Sequence, residues 1–216
     1  MQCRSCTSEI KSPFLKLGKT PLSNSYLKKE DLGKPEPQFP LETFVCPKCF
    51  LVQVDDFERP ENIFNEDYAY FSSYSDSWLK HCEDYAAEMA ARLKLGPKSL
   101  VMEIASNDGY LLQYFKAKGI PVLGIEPTKN TALVAQEKGI PTETVFFNTE
   151  TATRLAKSGR SADLLLGNNV LAHVPPLNDF VGGLKHALKP TGTLTMEFPH
   201  LEKMIEGLQF DTIYHE

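Results

Sequence analysis

Two Cys-x-x-Cys pairs stand near the start of the chain, Cys3 with Cys6 and Cys46 with Cys49. A tight CxxC turn lets two thiolates reach one ion. Two such turns supply four sulfurs at the corners of a tetrahedron, the arrangement that Zn²⁺ adopts. Four protein ligands leave no open coordination position, so the spacing predicts a structural zinc. A pair of redox dithiols and an iron–sulfur cluster are the competing chemistries. The second pair sits in FVCPKCFLVQV, apolar on both sides, which predicts a hairpin with the knuckle as its turn. Cys82 falls within a helical pattern and reads as a small buried apolar residue.

A second group of residues could hold a small ligand. The apolar run SLVMEIA (99–105) leads into Glu103-Ile-Ala-Ser106-Asn107-Asp108-Gly109. One glycine stands here, so the GxGxxG dinucleotide fingerprint is absent. Small residues still allow a tight turn that a ligand can approach. An acid at the strand end, with no loop to cradle phosphate, suits a cationic ligand without phosphates. S-adenosylmethionine, with a sulfonium and an amino group, is such a ligand. The next apolar run ends in GIEP, and Glu126-Pro127 places an acid where a ribose diol is held by paired hydrogen bonds. A solvated turn is the blander reading of Glu126 alone. ADLLLGNN (162–169) ends on Asn168 and Asn169, which could bracket the amino-acid part of the ligand. His173 follows just before Pro-Pro and is a candidate base as well as a candidate structural histidine. His200, after Phe198-Pro199, has a weaker claim, and His81 and His186 fall in helical patterns as surface groups.

These residues need a scaffold, and the texture of the chain supplies one. From Ser99 onward, apolar runs at 99–105, 121–127, 142–148, 162–169 and 192–199 alternate with helical patterns at 109–119, 128–139, 149–159 and 177–190. Strands alternating with helices predict βαβ units and a parallel, doubly wound sheet. The runs are continuously apolar, as strands covered on both faces should be. Ahead of them, YAYFSSYSDSW (68–78) precedes a strong amphipathic helix over 79–96, with Asp76 or Ser77 as its cap and Gly96-Pro97 as its stop. The first 60 residues are short pieces broken by proline, a composition that needs a staple. The expected division is 1–62 as a zinc-binding domain, 63–98 as an aromatic lid segment and connecting helix, and 99–216 as the α/β core.

The 216 residues carry a net charge of −5 and a pI of about 5.6, which gives no basic footprint for nucleic acid. No apolar run approaches the ~20 residues of a membrane span, and MQCRSCTSEI has no signal-peptide core. A cytoplasmic protein with reduced cysteines is therefore expected.

Taken in order, CxxC…CxxC, YxYFSSYS, EIASNDGYLL, GIEP, NNVLAHV and the terminal FDTIYHE resemble the S-adenosylmethionine-dependent C-methyltransferases of deoxysugar biosynthesis, of the tetronitrose type. The likeness runs the whole length of the chain. It implies a Rossmann-like class I methyltransferase core behind a small zinc-binding domain, with a nucleotide-linked 4-keto deoxysugar as substrate. In the family the last motif reads Tyr-His-Glu-His, whereas here the sequence stops after Tyr214-His215-Glu216. The expectation is a truncated chain, with the sheet incomplete at its C-terminal end. The resemblance also implies that His173 is a base or enolate hydrogen-bond donor, that Tyr214 and Glu216 orient substrate or relay a proton, and that Tyr68 lines the pocket. An NAD(P)-dependent sugar oxidoreductase or epimerase is the rival on the same fold. A non-catalytic nucleotide-binding module is the rival from another class. Sequence leaves the oligomeric state open.

Overall fold

The computed structural model describes residues 1–209 and Thr212. They form two compact units. One comprises Met1–Ala69, Leu171–Asn178 and the described residues from Phe198 onward; the other comprises Tyr70–Val170 and Asp179–Glu197.

The first unit carries an antiparallel sheet in the order β1-β2-β3, from β1 (Leu15–Thr20), β2 (Phe39–Val45) and β3 (Val52–Val54). Val45 pairs with Val52, so the second CxxC is indeed the turn of a hairpin. The two knuckles share one backbone design. The amide of Cys3 donates to Ser8 O and that of Thr7 to Cys3 O; the amide of Cys46 donates to Leu51 O and that of Phe50 to Cys46 O. Each turn closes through a non-glycine residue at positive φ, Thr7 at 61° and Phe50 at 62°. L-residues adopt that conformation at a cost, so the surroundings must hold it. The only described apolar cluster of this unit is small, built from Cys3, Ile10, Phe44 and Cys46 with Met1, Cys6 and Leu51 around them. The unit also includes two short helices, α1 (Pro60–Ile63) and, late in the chain, α7 (Leu201–Glu206).

In the second unit, α2 (Asp76–Arg92) precedes β4 (Val101–Ile104), α3 (Leu112–Ala117), β5 (Val122–Ile125), α4 (Lys129–Glu137), β6 (Thr142–Glu143), α5 (Thr149–Lys157), β7 (Ala162–Asn168), α6 (Leu177–Ala187) and β8 (Leu188–Glu197). The sheet is parallel in the order β6-β5-β4-β7-β8. The chain winds outward from β4 through β5 to β6, then returns to place β7 on the other side of β4. The point where winding reverses lies between β4 and β7, and ligands of such sheets bind beyond the strand ends there. Val101 pairs with Leu164 and Glu103 with Leu166, so the ends of both strands meet at that point. Every residue of β4 and β5 is buried, which explains their unbroken apolar character. Cys82, Ala86 and Met89 form the buried stripe of α2 and pack with Phe115 of α3 and with Leu164 and Leu166 of β7.

Four details depart from the expected pattern. Helix α2 starts earlier, and Ser75 is its cap: the Trp78 amide donates to Ser75 Oγ at 3.3 Å, while Asp76 lies in the first turn, where its charge suits the helix dipole. The same helix ends at Arg92, and Lys94, not Gly96, takes the left-handed closing position at φ 53°. The run at 142–148 gives only Thr142–Glu143 as strand, because the Val145 amide folds back on Glu143 O. Phe147 then turns inward against Phe180, with ring centroids 5.4 Å apart. Helix α6 stops at Ala187, and the last strand starts at once, with Pro190 inside it. Among the described strands β8 is at the sheet edge, where a missing amide is tolerated. Its register shifts opposite Ala162–Leu164, and a Cβ on Gly192 would stand 2.7 Å from Ala162 O.

Replacing Ser75 by alanine should lower stability by about 1 kcal/mol through loss of the helix cap. The readout is a lower urea midpoint with an unchanged denaturant slope.

Candidate functional site

Cys3, Cys6, Cys46 and Cys49 bring their four Sγ atoms within 4.8 Å of one another. Cys3 Sγ is 3.5 Å from Cys49 Sγ, and Cys6 Sγ is 3.5 Å from Cys46 Sγ. A zinc tetrahedron with bonds of about 2.3 Å has sulfur–sulfur edges of about 3.8 Å, so the cluster needs little adjustment to take the ion. Hydrogen bonding also favours thiolates. Burial opposes ionisation of Cys3, but the Cys6 amide, the Gln53 carboxamide and the Ser5 amide outweigh it and bring the thiol down to about 6. The Ser8 hydroxyl and amide lower Cys6 as well. Cys49 moves the other way: the Leu51 amide favours its thiolate, but desolvation and the other sulfurs push it up to about 12. Crowded sulfurs that resist joint ionisation are what a dication relieves. Gln53, 1% exposed, locks the first knuckle to β3 by accepting from the Arg4 amide at 3.0 Å and donating toward Cys3 Sγ.

The second candidate site lies in the other unit, where β4 and β5 end. After Glu103 the backbone enters the left-handed region at every second residue: Ala105 at 54°, Asn107 at 48° and Gly109 at 76°. The loop turns in the way a glycine-rich loop would, with glycine only at its last position. There a Cβ would run into Ile140 Cδ1. Ala105 and Asn107 endure their conformation because the loop is pinned. The Ala105 amide donates to Ile125 O at 2.8 Å, and the Asn107 amide donates to Glu126 Oε2 at 2.8 Å. Glu126 Oε1 accepts from the Thr128 amide at 2.8 Å. Burial raises the Glu126 carboxyl above its usual range against these bonds, and it retains acceptor capacity for hydroxyl donors.

Glu103 is fully buried, and neither carboxylate oxygen has a hydrogen bond of ordinary geometry among the described residues. Burial pushes this carboxyl well above the usual range; the Tyr110 hydroxyl works against the shift, and the Glu126 and Asp108 carboxylates add to it. Two more acceptors nearby are orphaned, Ser106 Oγ and Asp108 Oδ1. Unsatisfied buried acceptors on a pinned loop mark a place for a group that donates hydrogen bonds and carries positive charge. S-adenosylmethionine brings an ammonium and a sulfonium to such a place, and the donor set fits it. A pyrophosphate at the loop would meet the Glu103 and Asp108 carboxyl groups instead.

The remaining expected residues fall as follows. Pro127 is half-buried beside Glu126, Asn168 is half-buried at the end of β7, and Asn169 is exposed with φ 52°, its amide donating to Glu197 O. The Asn107 side chain is committed elsewhere: its Oδ1 accepts from the Ser72 amide and its Nδ2 donates to Tyr70 O. Tyr68 and His173, both half-buried, belong to the zinc-bearing unit, with the Tyr68 ring 5.4 Å from Phe64. His200 precedes α7 in that unit. Tyr214 and Glu216 lie outside the described residues. Sequence reasoning missed Tyr110, which faces Glu103 and stacks at 6.0 Å on Trp78. It missed Lys138 too, which is bound to Asp108. His81 is an exposed helix residue, as expected, stacked on Trp78 with its Nε2 3.1 Å from Glu197 Oε2.

Comparison with known proteins adds the following. Residues 3–64 match a family model described as "Putative zinc binding domain", and residues 102–194 match one described as "Methyltransferase domain". The chain is 32% identical over 215 residues to the C-methyltransferase NovU of Streptomyces niveus, covering 100% of this chain and 51% of that protein. It is 26% identical over 95 residues to a ubiquinone biosynthesis O-methyltransferase of Bartonella tribocorum, covering 44% of this chain and 38% of that protein. The chain thus spans about half or less of the length of these curated relatives. The crystal structure of the plantazolicin methyltransferase BpumL, with a pentazolic desmethylPZN analog and SAH, superposes with a TM-score of 0.50 at 13% identity, over 64% of this chain and 57% of that one. That likeness shows a common fold.

Two outcomes are expected of the isolated protein. It should contain one zinc per chain by metal analysis, and Cys46→Ser should abolish the metal and lower the stability of the zinc-bearing unit. The second outcome concerns pH. Glu103 holds its proton more tightly folded than unfolded, so between the ordinary carboxylate range and its raised value the fold loses stability as pH rises. Glu103→Gln should therefore stabilise the ligand-free protein at pH 8 by on the order of 1–3 kcal/mol. The gain should shrink toward pH 4, as followed by thermal melts across that range.

Proposed function

We propose that this chain belongs to the methyltransferases built with an N-terminal zinc-binding domain and serves the transfer of a methyl group from S-adenosylmethionine to a ring carbon beside the keto group of a nucleotide-linked deoxysugar. The observation that carries the donor half is the buried Glu103, whose carboxyl oxygens have no hydrogen bond of ordinary geometry among the described residues, at the point where the winding of the sheet reverses. The substrate half rests on the ordered motifs of the sequence and on the likeness to a C-methyltransferase.

The donor supplies an electrophilic methyl group on a sulfonium. The protein has four tasks around it. Glu103 and Asp108 Oδ1 accept from the ammonium and balance positive charge. Glu126 accepts from the ribose hydroxyls with the lone pairs left free by the Asn107 and Thr128 amides. A base removes the proton from the carbon next to the ketone, and a hydrogen-bond donor steadies the enolate oxygen; His173 is assigned to one of these two roles. Tyr68, Tyr214 and Glu216 orient the sugar or relay the proton. Holding carbon, methyl and sulfur in line is worth several orders of magnitude in rate. Four cysteine ligands would saturate the zinc, so the metal organises its unit and takes no part in the transfer. We place the enzyme in the cytoplasm.

The same electrostatics argue against a nicotinamide dinucleotide, because Glu103 and Asp108 would place carboxyl groups where its pyrophosphate meets the loop after β4. Calorimetric titration should show binding of S-adenosylhomocysteine and none of NADH. Glu103→Gln should weaken that binding by about 10- to 100-fold, the range for loss of a charged hydrogen-bonding partner. Radiolabel from the donor methyl should reach a nucleotide-linked 4-keto sugar; NADH binding in place of S-adenosylhomocysteine binding would sink the methyltransferase reading.

A further inference from the structure

Lys138 follows α4 directly and is used by neither the fold's core nor the roles assigned above. Its ammonium makes three contacts of ordinary length: 3.0 Å to Asp108 Oδ2, 2.9 Å to Asp108 O and 3.0 Å to Ser73 Oγ. Its own carbonyl accepts from Lys116 Nζ at 2.9 Å, which fixes the root of the side chain at the C-terminal end of α4. Asp108 belongs to the loop after β4, and its side chain is 3% exposed. Ser73 belongs to the aromatic segment just before α2, within a short 3-10 turn over Ser72–Tyr74.

A second clasp joins the same two segments. The Asn107 carboxamide accepts from the Ser72 amide at 2.9 Å and donates to Tyr70 O at 3.1 Å. Neighbouring loop residues therefore grip neighbouring residues of the aromatic segment. Lys138 reaches both segments from a third element, and it brings charge. That charge matters because Asp108 is buried near two further carboxyl groups, Glu103 and Glu126. Removing one partner of a buried ion pair leaves the other uncompensated. Without Lys138, both oxygens of Asp108 would lack a partner, and the loop would lose the bond that sets where Oδ1 points.

We infer that Lys138 is a positioning residue of the donor site: it fastens the 70–74 segment to the 103–109 loop and presents Asp108 Oδ1 to the ligand. This rests on the donor reading given above. The amine touches no reacting group and acts through Asp108 and Ser73.

The test compares wild type with Lys138→Met, Lys138→Arg and Ser73→Ala by two readouts. The first is hydrogen exchange of a peptide covering 70–75 in the ligand-free protein, where the Ser72 amide reports directly on the clasp. Lys138→Met should exchange there about tenfold faster or more, the loss expected for a charged hydrogen bond, with exchange in β4 and β5 unchanged. Ser73→Ala, which removes only one hydroxyl, should show the same change at smaller size. The second readout is the Kd for S-adenosylhomocysteine, which should rise about tenfold in Lys138→Met and recover in part in Lys138→Arg. Should Lys138→Met fail to fold, Ser73→Ala decides by the same two measures. Unchanged exchange at 70–75, or faster exchange with a Kd within about twofold of wild type, overturns the assignment. A wild-type protein that binds no S-adenosylhomocysteine overturns the donor reading and this assignment with it. Binding by wild type with indifferent variants overturns this assignment alone.

Discussion

The hydrogen bond from the Asn107 amide to Glu126 Oε2 is the constraint on which the candidate donor site depends. It crosses from the loop after β4 to the end of β5 and, with the Ala105 amide bond to Ile125 O, holds Ala105 and Asn107 at left-handed angles. Alanine and asparagine would relax from those angles if they were free. Because they are held, Glu103 stays buried beneath the loop with no cation among the described residues to neutralise it. The site is thus a strained loop over an uncompensated carboxyl, and both features cost folding free energy. Such costs persist where the rest of the structure is strong enough to impose them, and here the fully buried strands β4 and β5 supply that strength.

The zinc-bearing unit solves its stability problem differently. Its described apolar cluster contains few large side chains, and two of its buried members are metal-ligand cysteines. Neither a sheet of three short strands nor so small a core orders a chain of this length unaided. The two knuckles make up the difference. Each places its sulfurs through the same pair of backbone bonds, and each tolerates a positive-φ residue to do so. A core that contains its own metal ligands couples folding to metal binding.

Several features were legible in the residues. The CxxC pairs, the alternation of apolar runs with helical patterns, the parallel sheet and the acids at the ends of the first two runs follow from local spacing. Local spacing is what covalent connectivity and backbone geometry transmit. Other features were not legible. Glycine counting cannot reveal that Ala105 and Asn107 take glycine-like angles, because tertiary hydrogen bonds impose that conformation against local preference. The shortness of β6 depends on an edge position and on Phe147 finding Phe180. The start of β8 directly after α6 depends on a close approach of Gly192 to Ala162, which no pattern within either segment encodes.

The sequence by itself determined which chemistry was available: four thiolates for one tetrahedral ion, and acids without a phosphate cradle for a cationic donor. Residue type and short-range spacing carry that information. Only the tertiary structure decided which groups are committed and which are open. It consumed the Asn107 side chain in binding the aromatic segment, joined Lys138 to Asp108, and left Glu103 with no cation beside it among the described residues. Those outcomes come from pairs of residues far apart in sequence and brought together by the winding of the sheet. Burial then sets what each contact is worth, because a carboxyl group that would be hydrated on an exposed chain becomes, once enclosed, a demand for a cation.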